Sequence, residues 1–234
     1  MAPTELLANL HLLTPGGWQV YLWRDEDGVT LIDAGAASSG PGLRAALAEL
    51  GLRAGDVDRL VLTHFHDDHT GGAAEVAGWG EVEVLAHAQD APIIRGERSG
   101  PPPNYSSEQE RALHAQVARA LPPAPPCRVD RELVDGEVLD IAGGALVVAT
   151  PGHTNGSMAL LLQRPRVLFT GDTVAEHRGQ IILGPFNLDR DRATVSFRAL
   201  AELDADVACF GHGQPVIGSA SAALAAAAAN LTIR

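Results

Sequence analysis

The chain has 234 residues, 46% of them hydrophobic, which suits one large domain spanning 1–234. Its 17 basic and 29 acidic side chains leave a formal net charge of −12, which repels nucleic acid, and no Lys/Arg run is present to hold phosphates. Cys127 and Cys209 form no Cys-x-x-Cys, which argues against a disulfide framework or a zinc knuckle and for two reduced thiols. The first thirteen residues lack the basic start and long apolar run of a signal peptide or membrane span, so the expectation is a cytoplasmic chain that engages no membrane.

In chain order, Trp18 to Arg24 and Val29 to Ile32, separated by Asp25-Glu26-Asp27-Gly28, read as a β-hairpin. Asp33 ends the second strand and is expected to make structural hydrogen bonds. Pro41 to Leu50 reads as a helix, with Pro in its first turn, Leu43, Ala46, Leu47 and Leu50 on one face, and Gly51 as its stop. Arg59 to Thr63 reads as a buried strand. It delivers His64-Phe65-His66-Asp67-Asp68-His69, followed by Thr70-Gly71-Gly72 and an Ala-rich helix to Ala77 whose start packs closely because two glycines lack side chains.

Eight of the fifteen prolines fall between Pro92 and Pro126, an irregular insert. Inside it, Ser107-Glu108-Gln109-Glu110 has capping-box spacing and Leu113, Val117 and Leu121 recur at i+4, which predicts a helix of about three turns ended by Pro122-Pro123. The insert either covers a pocket, with Tyr105 and Arg111 as candidate substrate contacts, or is a surface excursion. Three further apolar runs then each lead into a turn and a metal-capable residue: Ala145–Thr150 into Pro151-Gly152-His153-Thr154, Arg166–Thr170 into Gly171-Asp172-Thr173, and Asp206–Phe210 into Gly211-His212-Gly213. Gln180 to Phe186 reads as core packing in preference to a pocket wall, His177 as solvated, and Ser219 to Leu231 as an Ala-rich packing helix.

Histidine nitrogen and aspartate oxygen are donors that zinc and similar divalent metals accept. If the strand ends share one edge, His64, His66, Asp68, His69, His153, Asp172 and His212 converge, and seven donors exceed one tetrahedral ion. Two ions bridged by a carboxylate and a water would use them all. Asp67 is read as a solvated or helix-capping carboxylate.

The series His-x-His-x-Asp-His, Pro-Gly-His-Thr, Gly-Asp-Thr and Gly-His-Gly resembles the metallo-β-lactamase superfamily over nearly the whole chain. The resemblance implies an α/β, four-layer αββα sandwich with the metal site at one edge. It implies His64, His66 and His153 on one metal, Asp68, His69 and His212 on the other, and Asp172 bridging. The implied cofactor is two divalent metal ions, zinc first, with iron or manganese as other choices. A metal-activated hydroxide would attack the carbonyl of a small ester, thioester or lactone, and either the other metal or Asp68, as a catalytic residue able to carry a proton, would assist the leaving group.

Asp172 argues against a true β-lactamase and for the glyoxalase II-like and lactonase branches. The 22 residues after His212 put a glutathione thioester in doubt. The other readings are a mononuclear iron sulfur dioxygenase, then a phosphodiesterase or nuclease. A non-catalytic binding protein stands last, because degenerate members lose ligands.

Overall fold

A computed structural model describes residues 2–26 and 28–233; Asp27, in the expected hairpin turn, lies outside the described residues. They form two compact units, one reaching to Ser99 and taking in Ala120–Leu133, the other made of Gly100–Arg119 and the chain from Val134 onward.

The first unit is a seven-stranded sheet in sequence order: β1 (Thr4–Leu7), β2 (Leu10–Leu13), β3 (Val20–Asp25), β4 (Gly28–Ile32), β5 (Arg59–Leu62), β6 (Glu83–His87) and β7 (Arg131–Leu133). The expected hairpin is β3 and β4, paired antiparallel from Tyr21↔Ile32 to Asp25↔Gly28. From β4 to β7 every pairing is parallel, so those strands end on one edge, where Asp33 and His64 follow β4 and β5. Parallel strands are buried on both faces, hence the continuous apolar runs. Val20, Leu22, Leu31, Leu60, Leu62, Val84 and Ala86 face α1 (Gly40–Glu49) and the helices after the ligand run, while Tyr21, Ile32, Val61 and Leu85 are buried on the alternate face.

The Ala-rich segment forms two short helices, α2 (Asp67–Thr70) and α3 (Ala73–Ala77), with Gly71 and Gly72 between them. A Cβ on Gly71 would lie 2.3 Å from Ala37 N, and one on Gly72 would lie 2.3 Å from Ala34 O. The two glycines let the ligand helix lie directly on the loop after β4. A further short helix, α4 (Ala91–Ile94), follows β6.

The second unit holds all but the last residue of α5 (Glu108–Ala120), the helix expected in the insert. Ser107 Oγ accepts from Glu110 N at 3.1 Å as a cap should, but the Glu110 carboxylate accepts from Ser106 N and Oγ, at 2.7 and 2.6 Å. The apolar stripe of α5 buries none of its residues, and Leu113 is 51% exposed. A six-stranded sheet follows, built from β8 (Val138–Leu139), β9 (Ala145–Ala149), β10 (Met158–Leu162), β11 (Val167–Phe169), β14 (Val207–Cys209) and β15 (Val216–Ile217). A separate hairpin pairs β12 (Val174–His177) with β13 (Gln180–Leu183). His177 is exposed at its tip and Leu183 is buried in the core.

β9 and β11 are each antiparallel to β10, and β11 is parallel to β14. The three strands that precede His153, Asp172 and His212 therefore run the same way and end on one edge. α6 (Arg190–Ala201) and α7 (Ala220–Ala228) cover the sheet through Ala193, Phe197, Leu200 and Leu224, packed with Ala159, Leu161, Leu168 and Ala208. Burial of a side chain such as Phe197 contributes about 1.5–3 kcal/mol. Cys127 and Cys209 are buried and unbridged. Desolvation pushes the Cys127 thiol up to about 11 and Cys209 well above the ordinary thiol range, so both stay protonated. No helix among the described residues is long and apolar enough to cross a membrane.

Gly72→Ala should lower stability by about 1–3 kcal/mol through overpacking against Ala34, read as a lower urea midpoint. Gly80→Ala, on an exposed turn where the nearest atom would be 3.9 Å away, should shift it by less than about 0.5 kcal/mol.

Candidate metal centre

In the first unit, four donors stand on one strand-to-helix turn. His64 is the second residue after β5; His66 is the N-cap of α2; Asp68 and His69 lie within that helix. His64 Nε2 and His66 Nδ1 face each other at 3.1 Å, and Asp68 Oδ2 lies 3.7 Å from His69 Nε2. His64 and His69 are buried, whereas His66 and Asp68 are half-buried.

The turn is held by groups that are not donors. Asp33 is 4% exposed and takes a positive φ of 63°. Its carboxylate accepts from Thr63 N at 2.8 Å and from Thr63 Oγ1 at 2.9 Å, and it meets His69 Nδ1 at 2.8 Å. A carboxylate on Nδ1 fixes the tautomer and directs Nε2 to a metal, the usual outer partner of a ligating histidine. Thr63 Oγ1 also lies 3.0 Å from His64 Nδ1, so His64 likewise points Nε2 outward. Asp90 anchors the turn from below by accepting from Phe65 N at 3.1 Å.

Asp33 makes the structural hydrogen bonds expected of it. Thr63 and Asp90 have no signal in the sequence, because one is the last residue of an apolar run and the other lies 25 residues downstream of its partner. Asp67 joins neither set of donors: its Oδ1 accepts from Ala124 N at 2.8 Å, tying the end of the proline-rich segment to the ligand helix.

In the second unit, His153, Asp172 and His212 sit past the ends of β9, β11 and β14. Asp172 Oδ2 lies 3.7 Å from His153 Nε2 and 3.3 Å from His212 Nε2. His153 and Asp172 are buried and His212 is half-buried. The glycines around them have steric causes. Gly152, at φ 135°, lets the start of α6 approach, since a Cβ there would lie 2.1 Å from Ala193 N; Gly213, at φ 94°, lies against Glu176 O. Ser196 Oγ of α6 donates to Pro151 O at 2.7 Å, and Gly211 N donates to Gly171 O at 3.1 Å.

His64 with His66, Asp68 with His69, and His153 with Asp172 each offer ligand atoms within 4.8 Å of one another, and imidazole nitrogens with carboxylate oxygens are a donor set suited to divalent metal ions. The family model described as the metallo-β-lactamase superfamily matches residues 13–212, a span that includes all seven donors, and the chain belongs to that superfamily. It is a metal-dependent hydrolase with the mixed α/β fold of that group.

Among its relatives is the probable metallo-hydrolase YflN of Bacillus subtilis, 29% identical over 92% of this chain and 87% of that protein. Thioesterase pkgB of Emericella nidulans is 28% identical over 69% of this chain and 36% of its own length. The crystal structure of the metallo-β-lactamase family protein TTHA1429 from Thermus thermophilus superposes with a TM-score of 0.69 at 28% identity, covering 96% of this chain and 78% of that one.

Asp33→Asn removes the charge that orients His69 and should weaken metal affinity about 10- to 100-fold, measured by chelator competition. Asp67→Ala should leave the bound metal per chain unchanged.

Proposed function

We propose that the chain hydrolyses a small ester, thioester or lactone at a binuclear divalent-metal centre, with zinc as the first choice of metal. The observation that carries this reading is Asp172, whose single oxygen Oδ2 lies within 3.7 Å of both His153 Nε2 and His212 Nε2. In the proposed assignment those two histidines would serve different metals, and Asp172 would be shared between the two. His64, His66 and His153 would hold one ion, Asp68, His69 and His212 the other.

Bound divalent metals supply Lewis acidity and lower the pKa of water to near neutrality. The protein's own residues do the rest. Asp33 and Thr63 fix the His69 and His64 tautomers, so that neither of these rings has to reorient when substrate arrives. Hydrolysis places the water oxygen on the carbonyl carbon, breaks the bond to sulfur or oxygen, and sends one proton to the leaving atom. Asp68, half-buried beside His69, carries that proton on its carboxylate. The name of thioesterase pkgB favours a thioester among the three ester classes.

Protein purified without added metal should contain about two metal ions per chain and hydrolyse thioesters or lactones without oxygen uptake. One iron with oxygen consumption on a persulfide would replace this reading with the dioxygenase one. His66→Ala and Asp172→Ala should each lose metal and at least about 100-fold in hydrolysis together; full activity in His66→Ala would remove the site.

A further inference from the structure

Gly184-Pro185-Phe186-Asn187-Leu188 links β13 to α6 and touches two of the second unit's donor loops. Gly184 N donates to Thr173 O at 3.3 Å, and a Cβ on Gly184 would overlap the Asp172 carbonyl. Leu188 N donates to His153 O at 3.2 Å, and Asp189 N to Gly152 O at 2.9 Å. Within this brace Phe186 takes φ 62°, a left-handed conformation that bulky side chains rarely adopt and that concentrates at ligand clamps.

The insert is fastened to the same loop. Asn104 N donates to Asn187 O at 2.8 Å, and Phe186 N donates to Glu110 Oε1 at 3.0 Å. Desolvation pushes the Glu110 carboxyl up, but the donors from Ser106 and Phe186 outweigh it and hold it below the ordinary carboxylate range, so the latch is ionised at neutral pH. Between the fastenings three half-buried rings meet. His114 lies edge-on to Phe186 with centroids 5.0 Å apart and 5.5 Å from Tyr105, whose hydroxyl is 2.9 Å from His114 Nδ1. The Arg111 guanidinium, a flat group, lies over the Tyr105 ring at 5.2 Å.

We propose that Tyr105, His114 and Phe186 form a subsite for a planar aromatic group of the substrate, carried on the loop that braces His153 and Asp172, with Glu110 as its positioning residue. His114 stands edge-on to Phe186 and tilted to Tyr105, and aromatic rings favour edge-to-face or offset-stacked neighbours, which an incoming ring would extend. The cation–π contact of Arg111 on Tyr105 shows that this ring already recognises a group through its π face. The subsite sharpens the hydrolytic reading and, for its kinetic arm only, rests on it.

Two measurements test it on the metal-loaded protein. In titration calorimetry phenylacetate should bind at least about 10-fold more tightly than acetate, and Tyr105→Ala and Phe186→Leu should each erase that preference, whereas Tyr105→Phe, which keeps the ring, should retain it. In kinetics the wild type should prefer either S-ethyl phenylthioacetate or S-benzyl thioacetate over S-ethyl thioacetate, which tells whether the ring sits on the acyl or the thiol side. Tyr105→Ala should lower that preference about 10-fold through KM, and Glu110→Gln should lower it less than Glu110→Ala.

Equal binding of phenylacetate and acetate, or equal loss for all three thioesters, would overturn the subsite. If phenylacetate selectivity stands while none of the thioesters is hydrolysed, the subsite holds and the hydrolytic reading fails.

Discussion

The first unit's donor turn depends on one buried carboxylate. Placing Asp33 at 4% exposure costs several kcal/mol in lost hydration unless its oxygens are satisfied. They are, by the Thr63 amide, the Thr63 hydroxyl and the His69 ring. Those partners sit on different elements, so the requirement to satisfy one charge fixes the end of β5 and the roll of α2 against the end of β4. The positive φ at Asp33 is the strain this arrangement tolerates, and the packing of Gly71 and Gly72 on residues 34–37 keeps the helix close enough for the bonds to form.

The second unit solves the same problem with backbone in place of a buried charge. Gly152 admits the start of α6, Gly184 admits the Asp172 carbonyl, and Gly213 admits Glu176. At each place two main chains approach too closely for a Cβ, and the hydrogen bonds Leu188 N to His153 O and Gly211 N to Gly171 O tie one donor loop to another segment. His153, Asp172 and His212 thus hold their places through rigid backbone contacts, which lose little entropy when a ligand binds. A hydrolase gains from this, because donors set in advance need no reorganisation as charge develops on the substrate.

Much of the site could be read from spacing alone. Apolar runs followed by a turn and a His or Asp marked the ends of β5, β9, β11 and β14, and the shared edge follows from strand direction within each sheet. The glycines of Pro151-Gly152-His153 and Gly211-His212-Gly213 signalled close approach, although not what approaches. The helix in the insert was legible from its i+4 spacing, but its stripe is left unburied, because periodicity reports amphipathic character and not the presence of a partner face. Asp67 resembled a solvated or capping carboxylate, and its bond to Ala124 N depends on a segment 57 residues away.

The sequence by itself determined which His and Asp residues stand just past strand ends and the order in which strands deliver them, since those follow from residue type and local hydrophobic pattern. Only the tertiary structure decided which groups orient the donors. Asp90 reaches Phe65 across 25 positions of chain, Leu188 meets His153 from the far side of four strands, and Thr63 acts through a hydroxyl at the end of an ordinary strand. The same holds for the meeting of Tyr105, His114 and Phe186. No local propensity encodes such encounters; they exist because two packed elements bring distant side chains within hydrogen-bond reach.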